Sequence, residues 1–343
     1  MFSLIIWLAY LFYNAGFSHS IKIDVGAIVQ NSLVTGMVES NGSLIVYGGQ
    51  NKLEKNSDGY YETNTFLLSY KDDSIINYNI FTNSVPNFLE AKEGFIVLGL
   101  AYDVGTKNQR FEIKELKNNL NTWRDLYCLN GSLRGCRIFN NEKIYISINQ
   151  DLFSLSKHEN WNSKLIELPK GSKEFLNKSS DNNIIFLSND TSLYRVNSVI
   201  ELYKIDSLGQ IYLIGVFEND IYGVINIGDE EYIIISRSTD HGNHVILSKY
   251  YKGQLTLLKK YENMLFDKII VDKDLVYLLL SEVAGFSFHK RHLFMLNLNK
   301  DSIEGSQEIE LGPEKLTSLL LTSDNSAYSL DTMNKIRKFL VKR

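Results

Sequence analysis

Four of the six histidines in this chain fall in two short stretches: His241 and His244 follow Asp240, and His289 and His292 flank Arg291. Imidazoles beside a carboxylate are the donor set of divalent-metal coordination, and imidazole titrates near neutral pH. On extended chain, however, residues three apart point to opposite faces. The two stretches therefore read as binding or pH-sensitive patches, and no metal and no cofactor is expected. A second set is Arg137, Arg237 and Arg291 with Asp103, Asp240 and Glu282. Arginine forks grip carboxylates, and paired acids serve glycoside hydrolysis, so a glycan-processing hydrolase is one reading of these residues. A third set is Tyr60 and Tyr61 in the acidic stretch QNKLEKNSDGYYETN at 50–64, a composition suited to a partner contact. The sequence contains no phosphate-binding glycine loop, no nucleophile elbow and no HExxH, so no complete catalytic set is assembled.

The N-terminus, MFSLIIWLAYLFYNAGFSHS, carries no charge before Lys22. Its apolar core is shorter than the about 20 residues of a spanning helix and suits a secretory signal cleaved after Ser20. This predicts a signal peptide at 1–20, a single domain at 21–343, a secreted or secretory-lumen location, and no membrane span once the signal is removed. In that compartment Cys128 and Cys136, enclosing LNGSLRG, are expected to form a disulfide. Four sequons, at Asn41, Asn130, Asn177 and Asn189, are possible glycosylation sites. The net charge of −4 argues against nucleic acid.

The elements that must position these residues repeat. SLIVYGG at 43–49 is followed by six similar apolar runs: GFIVLGL at 94–100, KIYISIN at 143–149, NIIFLSN at 183–189, EYIIISR at 231–237, LVYLLLS at 275–281 and SAYSLDT at 326–332. Each is short, rich in Ile, Val, Leu and Tyr, and preceded by a polar turn, which is a strand pattern. Another apolar run stands before each, a third follows, and most copies have a fourth. A four-stranded unit recurring every 40 to 51 residues is the signature of a β-propeller. The seventh unit ends at Arg343 with three strands, while residues about 21–29 form a strand with no unit of their own. The predicted fold is all-β: a seven-bladed β-propeller whose last blade is closed by the N-terminal strand, which removes the open edges.

Two local motifs resemble known propeller families. Gly48-Gly49, with Tyr60, Tyr61 and Asn64, resembles a kelch repeat. Ser238-x-Asp240-x-Gly242 resembles the core of an Asp-box, found in sialidase-like and sortilin-like propellers. The resemblance implies a ring with two rims. The connections between second and third strands, at 50–64, 101–110, 189–201, 238–243 and 282–290, are longer than the turns at the opposite end, and long loops on a rigid scaffold carry binding residues. The expected function is non-catalytic binding of a protein or glycan on the long-loop rim, through Tyr60, Tyr61, Asp103, Arg237, Asp240, His241, His244, His289, Arg291 and His292. A structural subunit of a luminal assembly is the other non-enzymatic reading.

Overall fold

The computed structural model describes residues 22–340, apart from 56–60, 73, 105–108, 118–119, 131–132, 150, 169–171, 176–183, 190–199, 207, 218–219, 229–230, 239–242, 273–274, 285–286, 298–308, 311–315, 322–325 and 332–333. Residues 1–21, expected to include a signal peptide, and Tyr60, Asp240, His241 and Asn177 lie outside the described residues.

After β1 (Lys22–Asp24) and one helical turn α1 (Val25–Ile28), the described residues form seven four-stranded antiparallel sheets, six of them meanders of consecutive strands. The first comprises β2 (Ser32–Ser40), β3 (Ser43–Lys55), β4 (Tyr61–Lys71) and β5 (Ser74–Phe81). The second is β6 (Ser84–Lys92), β7 (Phe95–Tyr102), β8 (Arg110–Leu116) and β9 (Trp123–Asn130). The third is β10 (Leu133–Asn140), β11 (Lys143–Ile148), β12 (Asp151–Ser156) and β13 (Ser163–Ile166). The fourth is β14 (Ser172–Phe175), β15 (Ile184–Asn189), β16 (Ile200–Ile205) and β17 (Ile211–Phe217), and the fifth is β18 (Ile221–Gly228), β19 (Glu231–Ser238), β20 (His244–Tyr251) and β21 (Gln254–Glu262). The sixth is β22 (Met264–Asp272), β23 (Leu275–Ala284), β24 (Ser287–Asn297) and β25 (Ile309–Glu310). In the seventh, β26 (Leu316–Leu321), β27 (Ser326–Asp331) and β28 (Lys335–Leu340) are joined by β1 as the outer strand, with Ile23 opposite Ile336. The N-terminal strand is shorter than the sequence suggested, because Asp24 accepts a hydrogen bond from the Ala27 amide and turns residues 25–28 into α1.

The sheets pack face to face, so there is no single core. Val38, Ile45 and Leu67 of the first sheet meet Leu89, Ile96 and Leu98 of the second, and Phe95, Val97 and Ile113 of the second meet Ile144, Ile146 and Trp161 of the third. Similar clusters join the third to the fourth, the fourth to the fifth and the fifth to the sixth. Val34, Val46 and Phe66 of the first sheet pack on Tyr328, Leu330 and Ile336 of the seventh, and β26 touches both β22 and β2. A strand buried on both faces needs apolar residues at successive positions. That is why IIIS in β19 and LLLS in β23 read as unbroken apolar runs.

One repeated device is invisible as a motif. In six sheets the first strand carries a bulge at the same place, adding Thr35, Asn87, Arg134, Tyr222, Asp267 or Thr317 against the second strand. A bulge bends and twists the strand that bears it. The residue after it is Gly36, Gly135 or Gly223 in three sheets. In the first sheet Gly36 lies under the ring of Tyr47; in the second the sizes are exchanged, and Phe88 lies over Gly99. A methyl group on Gly99 would lie 2.3 Å from the Phe88 ring.

Candidate functional site

The end that carries the connections between second and third strands was expected to display long loops. Two of them are strands instead. β3 and β4 run on to Lys55 and from Tyr61, leaving only 56–60 between them, and β23 and β24 leave only 285–286. Backbone pairing continues through polar residues such as Gln50 opposite Asn64, and an apolar-run reading cannot see it. Long connections also occur at the other end: 298–308 separates β24 from β25, and 176–183 separates β14 from β15. Tyr61 is the first residue of β4 and pairs with Lys55. Asp103 follows β7 on an exposed turn with φ of 53°.

Of the expected histidine patch, His244 lies in the fifth sheet and His289, Arg291 and His292 in the sixth, all on strands. The latter three all belong to β24, where a register shift at Glu282/Val283 leaves His289 without a direct partner residue on β23. His292 is buried, with Nε2 3.5 Å from the Glu282 carboxylate and its ring 6.0 Å from that of Phe294. Phe294 in turn packs on Tyr261 at 4.7 Å between centroids. Burial pushes the Tyr261 hydroxyl up to about 12. His244 opens β20 opposite Ser238 and Glu262. Nearby, Arg237 donates to Asn243 Oδ1 at 3.1 Å, and its backbone amide is held by the Asp220 carbonyl. Ser281 donates to the Asp267 carboxylate on the bulge of β22. Among the described residues no group of three or more His, Cys, Asp or Glu could hold a metal ion. Where the fifth sheet meets the sixth, Tyr261, Phe294 and His292 are buried between the two.

The other arginine of interest, Arg137, is committed elsewhere. It pairs with Glu90 across the first strands of the second and third sheets and lies 5.8 Å from the Phe175 ring. Burial, reinforced by the Glu90 charge, raises the hydroxyl of the adjacent Tyr47 to about 12. Sequence reasoning missed this pair because it depends on which first strands are neighbours.

The expected disulfide is not formed: Cys128 and Cys136 are both free. Cys128 stands on β9, the outer strand of the second sheet, and is exposed between the inward Tyr127 and Leu129. Cys136 stands on β10, the first strand of the third sheet, buried among Leu126, Leu129 and Ile146. Short sequence separation did not bring the sulfurs together because the two strands lie in different sheets and the side chains face apart. Of the sequons, Asn41 is on an exposed turn and Asn130 is exposed at the end of β9, whereas Asn189 is in β15.

Comparison with solved structures decides the fold. The β-propeller domain of the Trilobed protease from Pyrococcus furiosus superposes with a TM-score of 0.62 over 92% of this chain and 95% of that one, at 11% identity. The fold is a β-propeller. YCF48 bound to a D1 peptide matches with a TM-score of 0.57 over 94% and 95% of the two chains at 11% identity. The WD40 propeller domain of Doa1 gives 0.54 over 96% and 98% at 15% identity. No protein-family model matches this propeller, and no curated protein sequence does. The kelch-like glycines have a local cause instead. Gly48 passes against Leu33 and Val34 of β2 and beneath Phe66. Most of the Asp-box-like stretch, 239–242, is outside the described residues.

Proposed function

We propose that this chain is a closed seven-bladed propeller, each four-stranded sheet being a blade, that acts as a non-catalytic protein-binding module of the secretory lumen. The carrying observation is the fold, shared end to end with YCF48, which was solved holding a peptide. Seven sheets and the pairing of β1 with β28 support ring closure. The binding surface we assign is the rim bearing the β3–β4 hairpin with Tyr60 and Tyr61, and the fifth–sixth blade junction with Arg237, His244, His289 and Arg291; His292, being buried, is not part of that surface. Asp103, Asp240 and His241 belong to the connections of the same rim. The apolar leader at 1–20 supports entry into the secretory pathway, with Asn41 and Asn130 the sequons best presented for glycosylation.

Affinity capture with cross-linking from the native source tests this reading. Captured protein partners are expected to cross-link to the rim, and shortening the 52–62 hairpin together with His289→Ala and Arg291→Ala should release them. Unchanged capture by that variant would sink the rim assignment. The mature N-terminus, read by mass spectrometry, should be Ile21; a chain that begins at Met1 and remains outside the secretory pathway would refute the lumen.

A further inference from the structure

A second surface lies between the fourth and fifth sheets, at the end opposite the histidine-bearing rim. A cavity of about 530 Å³ opens there, lined by Lys204, Asp206, Tyr212, Tyr232, Tyr250 and Lys252 among others. Strand register gives its walls. Tyr212 stands opposite Lys204 on the fourth sheet, and Lys204 reaches over the Tyr232 ring of the fifth at 5.8 Å. Tyr212 and Lys204 therefore face the fifth sheet, since directly paired residues share a face. On the other wall Tyr250 is paired with both Tyr232 and Leu255, and Ser248 with Leu257. Tyr250 also donates to the Ile214 carbonyl at 3.0 Å, so this wall faces the fourth sheet. The outer lips are apolar and open: Tyr212 is 46% exposed, Leu255 52% and Leu257 61%.

Three features together select the occupant. First, both lips belong to outer strands, β17 and β21, whose free edges can take main-chain hydrogen bonds from an extended peptide. Second, the cations Lys204 and Lys252 line the cavity, and Lys260, opposite Ile246, continues the same face of β21, whereas Lys259 lies over the Tyr261 ring on the face toward the sixth sheet. Third, the lining carboxylate, Asp206, is engaged by its own turn, accepting the Leu208 and Gln210 amides at 2.9 and 2.8 Å. The lining thus carries two ammonium groups against one carboxylate, a local cationic excess within a chain of net charge −4. A second copy of the same edge would set lysine against lysine, which opposes self-pairing.

We infer that this groove docks an extended acidic segment of a partner protein, with apolar side chains inserted between Tyr212 and the Leu255–Leu257 lip and carboxylates on Lys204 and Lys252. This surface is separate from the histidine-bearing rim and stands without it.

The test uses fluorescein-labelled peptides Ser-Glu-Leu-Glu-Leu-Asp-Ser, the same peptide with Lys replacing each acid, and one with Ser replacing each acid, followed by anisotropy on the full chain. The acidic peptide should bind and the lysine peptide should not. Lys252→Glu with Lys204→Glu should weaken the acidic peptide about tenfold or more and favour the lysine peptide, as expected when like charges are juxtaposed. Leu257→Asp, an exposed site that leaves folding intact by circular dichroism, should weaken the acidic peptide too. The rim variant with Ala at 289 and 291 should bind it as the parent does, so this result and failure of the rim are separable. Equal affinity for the acidic and serine peptides overturns the proposal, as does insensitivity to both groove variants or loss of binding in the rim variant. Binding of a heparin fragment at the groove, with no peptide binding, overturns it in favour of an acidic glycan.

Discussion

Replacing Gly48 with alanine would place a methyl carbon 2.2 Å from the Leu33 carbonyl oxygen and 2.8 Å from both the Val34 Cα and the Phe66 ring. Two of these three obstacles are backbone, and backbone cannot rotate aside. Gly48 pairs with Val34 immediately before the bulged Thr35, so relief requires β2 and β3 to separate where the first sheet meets the seventh. The cost should reach the upper end of the overpacking range, about 3 kcal/mol, of which the loss of glycine entropy in the unfolded chain returns only about 0.4–1 kcal/mol. At Gly49 the nearest atom is the Thr63 side-chain methyl at 3.3 Å, which can yield, so alanine there should stay within about 0.5 kcal/mol of the parent. Equilibrium urea unfolding followed by tryptophan fluorescence separates the two. Gly48→Ala should lower the midpoint by roughly 1 M, and Gly49→Ala should leave it almost unmoved. Adding Phe66→Leu should not rescue Gly48→Ala, because the Leu33 carbonyl remains in place. Equal midpoints for the two alanine variants, or full rescue by Phe66→Leu, would refute the packing argument.

The exchange of sizes in the second sheet gives the opposite outcome: Gly99→Ala should be destabilising alone, and Phe88→Leu should partly restore it, with a coupling of about 0.5–3 kcal/mol in a double-mutant cycle. Ile23→Ala should cost about 2–4 kcal/mol and open the β1–β28 edge to limited proteolysis, since Ile23 is buried against Ile336; parental stability would show that the N-terminal strand does not hold the last sheet. Iodoacetamide should modify Cys128 in the native protein and both cysteines only after unfolding, because burial, with the Glu90 charge, pushes the Cys136 thiol well above its usual range. No modification of either cysteine until a reductant is added would restore the disulfide. Tyr47 and Tyr261 are raised from 10.0 to about 12 by burial. Their neutral forms are favoured in the fold, so their contribution is complete below about pH 10 and is lost as pH rises from 10 to 12. Ultraviolet titration should show a late set of tyrosines, these two included, ionising only as the protein unfolds, and a single unperturbed titration step for all of them would contradict this.

The sequence by itself determined the strands and their order. The second strands begin within one residue of the seven apolar runs, as with β7 at Phe95 and β15 at Ile184, because a strand buried on both faces writes its length directly into apolar residues. It also determined that β1 would be left over to finish the last sheet. Only the tertiary structure decided what depends on register and on neighbouring sheets. The polar ends of β3 and β4 pair through backbone groups that side-chain pattern does not report. Cys128 and Cys136 are close in sequence but lie in different sheets and face apart. His292 is buried beside the Glu282 carboxylate, which its place in a run of polar residues did not announce. The lysine-lined groove between β17 and β21 exists because two outer strands, more than 30 residues apart, turn leucines and tyrosines toward each other.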